Sequence, residues 1–281
     1  MALVDMKLLL ARAANLAPLP DAARRALELS REPDTTPSDI VAAVKTDPVT
    51  TARILKLANS AVYGRAEPVG SIEEAGVQLG VQKLVDLVLT TVASRWFETA
   101  PMSASERQAA WQRASASAAA ASILARLHGQ ASPERAYTAA LLADFGALVM
   151  TTEWLEERET LMELLAQGAR PDEAERAVLG VDHATLGALV LARYSVPPAL
   201  VDAVRHHHHP REARYEPALV WTVYLGHQVA ETLLVQKTGQ APVGHAETLQ
   251  FDAEELAELG LDLASVVGLE ELLARELGHA S

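Results

Sequence analysis

Residues 81–97 read VQKLVDLVLTTVASRWF, a run whose only charges are Lys83, Asp86 and Arg95. It is apolar nearly all round, so it reads as a helix buried inside a larger helical body. Working outward, residues 104–128 place Trp111, Ala114, Ala118, Ala121 and Ala125 along one stripe, and residues this small let another helix approach closely. In 48–58 the apolar residues Val49, Ile54, Leu55, Leu57 and Ala58 again follow a helical period. No stretch alternates strictly and no Asn-Gly turn occurs, so a sheet is not expected. The fold class is all-α.

Helix starts repeat one chemistry. Proline suits the first helical position, because its missing N–H would have had no partner there, and a preceding Ser, Thr or Asp caps the free N–H groups. Thr36-Pro37, Asp47-Pro48 and Ser132-Pro133 fit, Pro171 and Pro197-Pro198 mark further starts, and Ser103 with Glu106 reads as a capping box. Gly129, Gly168 and Gly180 are stops. About a dozen helices follow, over roughly 3–14, 20–30, 37–46, 48–58, 71–79, 81–99, 104–128, 133–150, 153–167, 171–179, 182–193, 197–208 and 214–236, with one or two more in 252–278. Residues 98–103 form a joint between two helical halves, and 237–246 a Gly/Pro-rich loop. Three regions result: 1–100, an N-terminal helical subdomain; 101–240, a helical core; and 241–281, an acidic helical extension. Eight leucines from Leu256 to Leu277 argue that the extension packs.

The chain of 281 residues is 49% hydrophobic but 4% aromatic, so Leu, Ala and Val must fill its core. It has no cysteine, which excludes disulfides and thiolate metal sites and leaves His and carboxylates as ligands. No apolar stretch of membrane-spanning length lacks charges, and the N-terminus has no signal-peptide pattern, so a cytosolic protein without membrane contact is expected. Net charge is −13, and residues 243–281 carry nine acids against Arg275 alone. Such a chain repels phosphate, so DNA is not an expected partner. The segment 37–59, with Lys45, Arg53 and Lys56, superficially resembles a helix-turn-helix, but Ile54, Leu55 and Leu57 assign it to core packing.

The residues that could carry chemistry are Asp144, His183 and the run His206 to His209. Imidazoles and a carboxylate from separate helices can converge on a divalent ion. The competing readings are a solvated His run at a helix end and a set of buried groups that hydrogen-bond one another.

Several motifs agree in order with one family. Leu19-Pro20, Asp47-Pro48, Leu55 to Ser60 containing Ala58-Asn59-Ser60, Tyr63-Gly64, and Ala75 with Leu79-Gly80 are followed by Ala139 to Gly146, His183 with Gly187, Pro197, and His207-His208 with Pro210. Over about residues 14–235 the chain resembles the HDOD family, the HD-related output domain of bacterial signalling proteins. The resemblance implies an HD-like orthogonal bundle of many helices. HD phosphohydrolases hold divalent metal with a His, a His-Asp pair and a distal Asp. On that pattern the first His falls at Ala114, the pair at Ala143-Asp144 and the distal Asp near Leu225-Gly226-His227, where no acid stands. His183, His207 and His208 match extra histidines of the HD-GYP branch, which cleaves cyclic dinucleotides, but the GYP signature is absent after His208.

The resemblance therefore implies a degenerate site with no catalytic residues: a regulatory module acting through protein–protein contact or ligand binding at a relic pocket of Asp144, His183, His207 and His208. No metal or cofactor is expected. Should a metal bind, those four residues are its ligands. The expected partners are a signalling protein, a second copy of the chain, or a nucleotide in the pocket. The alternative is a residual metal-dependent phosphohydrolase acting on a nucleotide such as a cyclic dinucleotide.

Overall fold

The computed structural model describes residues 18–63, 68–153, 157–238, 252–266, 269, 272 and 273. Among these, every regular element is helical. The helices are α1 (Asp21–Leu29), α2 (Pro37–Val44), α3 (Pro48–Ala58), α4 (Ile72–Thr99), α5 (Ala104–His128), α6 (Pro133–Ala143), α7 (Phe145–Glu153), α8 (Arg158–Ala166), α9 (Pro171–Leu179), α10 (His183–Arg193), α11 (Pro198–His206), α12 (Pro217–Thr238) and α13 (Ala253–Ala257), with 3₁₀ turns at Ala61–Tyr63 and Pro210–Glu212. None is long and apolar enough to cross a membrane. The helix expected over 3–14 and most of the loop 237–246 lie outside the described residues.

The expected caps form. Asp47 accepts from the backbone of Val49 and Thr50, Ser132 from Arg135, and Ser103 with Glu106 closes a capping box. Asn59 fixes the loop that follows α3 by pairing both side-chain groups with the Val69 backbone, at 2.8 and 3.1 Å. The pieces expected at 71–79 and 81–99 run on as α4, with the break at Gly80 in the left-handed region (φ 75°). One expectation is corrected. Residues 133–150 form not one helix but two, α6 and α7, parted at Asp144. Just past the break, Gly146 lies so close to α10 that a Cβ on it would sit 2.0 Å from the His183 carbonyl oxygen.

One apolar core draws on α1 to α7 and α9 to α12, and α4 contributes Leu84, Val85, Leu87, Val88, Leu89 and Val92 to it. The small-residue stripe of α5 is buried, and α12 packs there so closely that a Cβ on Gly226 would meet the Ala121 backbone at 2.8 Å. Of the tryptophans, Trp96 and Trp221 are buried and Trp111 is half-buried; Trp154 lies outside the described residues. In the C-terminal extension Leu256, Leu259, Val266, Leu269 and Leu273 are buried against Ile123, Leu124, Trp221, Leu225 and Val229, so it packs on α5 and α12.

Where α4 meets α6, the Asp86 carboxyl is buried, and one of its oxygens has no hydrogen-bond partner. Burial pushes its pKa up to about 7, with Glu134 and Glu216 adding to the shift while Arg135 and Lys83 oppose it. A folded-state pKa above the unfolded one means that stability is full below about pH 4 and is lost as pH rises through about 7. Asp86→Asn should therefore gain stability relative to wild type between pH 4 and 8, by at most about 4 kcal/mol at about 1.4 kcal/mol per pK unit, as read by urea unfolding at each pH. Gly146→Ala should cost about 2–3 kcal/mol or more, because the backbone of α10 cannot give way as a side chain would; a lowered melting temperature checks this.

Candidate functional site

The break at Asp144 sets a carboxylate at the junction of α6 and α7. Across from it, His183 opens α10, His207 closes α11 and His208 follows in the turn. Three ring nitrogens, one from each of these histidines, lie within 4.8 Å of one another. His183 Nε2 is 2.9 Å from His208 Nε2, 3.4 Å from His207 Nε2 and 3.6 Å from Asp144 Oδ1. The structure thus brings together the four residues singled out in the sequence.

It also adds residues the sequence reading passed over. Glu175, on α9, is the first. One of its carboxylate oxygens accepts both the backbone N–H and the ring Nδ1–H of His183, each at 2.7 Å. On the neighbouring ring, Nδ1 of His207 donates to the Val204 carbonyl at 2.7 Å. With both Nδ1 atoms engaged, both Nε2 atoms face inward, the outer hydrogen bond choosing the tautomer as it does for metal-binding histidines. The second is His227 on α12, whose Nδ1 lies 3.9 Å from Asp144 Oδ2. A sequence cue existed for His227, since it falls where the family pattern places its distal ligand. For Glu175 there was none beyond its lying on a helix upstream of His183.

α9 is fixed by charge. Asp172, buried, takes Arg176 at 2.7 Å, Arg170 at 3.2 Å and His209 at 3.0 Å, and Arg176 reaches on to Asp182 at 2.5 Å. Asp182 caps α10 by accepting from the Thr185 N–H at 2.6 Å. One ionic chain therefore orients both Glu175 and the helix that begins with His183.

Electrostatics follow from this arrangement. Burial opposes a charge on His183, but Glu175 and then Asp144 override it and raise its pKa to about 9. Burial and the neighbouring His183 push His207 down to about 3, and burial with His207 holds His208 well below the usual range. Burial of Asp144 is likewise overridden, by His227, His183, His207 and Arg113, which keep it ionised. Without a metal, the Nε2 proton of His183 is shared towards neutral His208. Bonds of about 2.05 Å at angles of about 90–109° would separate two ligand nitrogens by about 2.9–3.4 Å, which the two separations from His183 Nε2 match, while Asp144 Oδ1 at 3.6 and 3.7 Å would have to close in.

The helix-turn-helix-like segment has a different character. Lys45 pairs with Glu73 at 2.5 Å, and Arg53 is held by both oxygens of Glu98 at 3.1 and 2.9 Å, so two of its cations are already neutralised.

The HDOD domain profile matches residues 16–210. The chain belongs to the HDOD family. Among solved structures, this HDOD chain is similar to a Shewanella amazonensis protein provisionally called a phosphohydrolase, with 26% identity and a TM-score of 0.67 over 95% of this chain and 93% of that one. It shares its fold with an HDOD domain protein of unknown function from Geobacter sulfurreducens (23% identity, TM-score 0.64, 98% and 95% covered). It also shares it with a Marinobacter aquaeolei protein provisionally called a signal transduction protein (24%, 0.65, 92% and 56%). A Treponema pallidum protein without stated function is 29% identical over 208 residues, and the HDOD chain spans 40% of that relative's length.

Glu175→Gln removes the main support for the charge on His183. In metal-free protein the His183 titration should fall from about 9 towards the ordinary histidine value near 6.5; a ring-proton NMR titration reads this directly.

Proposed function

We propose that this HDOD chain is a non-catalytic regulatory module that takes one divalent ion at Asp144, His183, His207 and His208 and passes the state of that pocket to a signalling partner through helix packing. The observation that carries this is the convergence of three imidazoles whose outer nitrogens are already tied down, beside a carboxylate held ionised. The sequence reading expected no metal and named these four residues as ligands should one bind. The inward-facing nitrogens favour the second part of that statement.

Ala114 and Ala143 support the absence of turnover. Both are buried alanines at positions where the HD pattern supplies imidazoles, so this chain offers no imidazole there for a second ion. A bound ion would supply Lewis acidity and a more acidic water. The residues of this chain bind and orient it: Glu175 and Val204 fix the rings, and Asp144 balances the charge.

A residual phosphohydrolase is the second reading. It is favoured by the retention of Asp144 next to the three histidines and by the name given to the Shewanella amazonensis protein. Two measurements on one preparation separate the readings. The regulatory reading expects about one equivalent of Mn²⁺ or Zn²⁺ per chain, released as pH falls because protons compete for the nitrogens. It also expects hydrolysis of a cyclic dinucleotide no faster than in His207→Ala. Metal-dependent turnover that His207→Ala abolishes would establish the phosphohydrolase instead. Less than about a tenth of an equivalent of metal would end both metal readings.

A further inference from the structure

Two of the three pocket rings are fixed from behind. Nδ1 of His183 is held by Glu175 and Nδ1 of His207 by the Val204 carbonyl, each at 2.7 Å. The third ring, His208, is held only through Nε2, at 2.9 Å from His183 Nε2, and no outer hydrogen bond to its Nδ1 occurs among the described residues. It leans on its neighbours, with ring centroids 4.0 Å from His207 and 4.9 Å from His183. His208 also lies past the end of α11, in a turn and half-buried, where the helix no longer sets its direction.

The next residue, His209, fixes that turn. Its backbone N–H donates to the His206 carbonyl at 2.9 Å, and its ring Nε2–H donates to Asp172 at 3.0 Å. The Asp172 side chain is 2% exposed, and a hydrogen bond to an ionised carboxylate is among the stronger ones. The same carboxylate holds Arg176 at 2.7 Å and Arg170 at 3.2 Å, and Arg176 runs on to the Asp182 cap of α10. Asp172 therefore joins α9, the helix start that carries His183 and the turn that carries His208.

We infer that His209 is a positioning residue: its bond to Asp172 clips the turn after α11 to α9 and holds His208 Nε2 against His183 Nε2, in place of the outer hydrogen bond that His208 lacks. This rests on the reading that the three histidines bind a divalent ion. His209 touches no ion and acts through the backbone of its neighbour. Without the clip the half-buried His208 is free to swing outward, leaving Asp144, His183 and His207 as ligands. The clip can be removed by itself, because both arginines stay on Asp172 and keep α9 tied to the cap of α10.

Titration of the full chain with Co²⁺ tests this, since the visible spectrum of that ion follows the number and geometry of its ligands. His209→Ala should weaken Co²⁺ binding by about ten- to a hundredfold, the range for loss of an outer support, and give the spectrum of His208→Ala. His209→Gln, whose amide N–H can donate to Asp172, should bind as wild type does. Adding His209→Ala to His208→Ala should weaken binding no further, because the clip then has nothing to position. His209→Leu takes the place of alanine should that variant fail to fold. Wild-type affinity in folded His209→Ala, a loss in His209→Gln as large as in alanine, or an equal loss with and without His208 overturns the inference while leaving the three-histidine site standing. No Co²⁺ bound to wild type overturns that site and this inference with it.

Discussion

The grip of Glu175 on His183 is the contact on which the rest of the pocket depends. A single carboxylate oxygen holds the first backbone N–H of α10 and the ring of the same residue, so the helix start and the imidazole are oriented together. If that oxygen were removed, His183 would lose both its ring orientation and the chief support for its proton, and the nitrogens of His207 and His208 would face a ring free to turn. Asp172, Arg176 and Asp182 hold Glu175 in turn, by tying α9 to the cap of α10. The pocket is thus preorganised by groups that never face its interior, as outer hydrogen bonds do for metal-binding histidines generally.

Around this contact the charges are arranged in compensating pairs. Glu175 faces His183, Asp144 lies among three imidazoles, and Glu231 faces Arg113. Negative groups dominate, so the pocket favours cations over free phosphate. A phosphate-bearing ligand would need a metal already in place. The acidic C-terminal extension packs behind α12, the helix that carries His227 and Glu231. A partner that displaced the extension would act on the pocket through α12, which gives the proposed signalling role a physical route.

Local chemistry made much of the fold legible. Caps at Asp47, Ser103 and Ser132, proline helix starts and the alanine stripe of α5 are all written in adjacent residues, and each formed as read. Convergence of Asp144 with His183 and the run His206 to His209 was legible as one option in the residue types, and it narrowed to Asp144, His183, His207 and His208 only through the family motif, because no periodicity relates residues on different helices. The split of residues 133–150 at Asp144 was hidden because no proline or capping pattern marks it, and the close approach of Gly146 to the carbonyl of His183 is a tertiary contact. Glu175, Glu231 and Arg113 were hidden for a similar reason. On a helical wheel each is a charged residue suited to solvent, and only tertiary packing turns the two glutamates inward.

The most direct measurement is anomalous scattering from a crystal equilibrated with Mn²⁺. A single peak between His183, His207, His208 and Asp144 is the expected result. A featureless pocket at saturating Mn²⁺, or a pair of peaks bridged by Asp144, would contradict it.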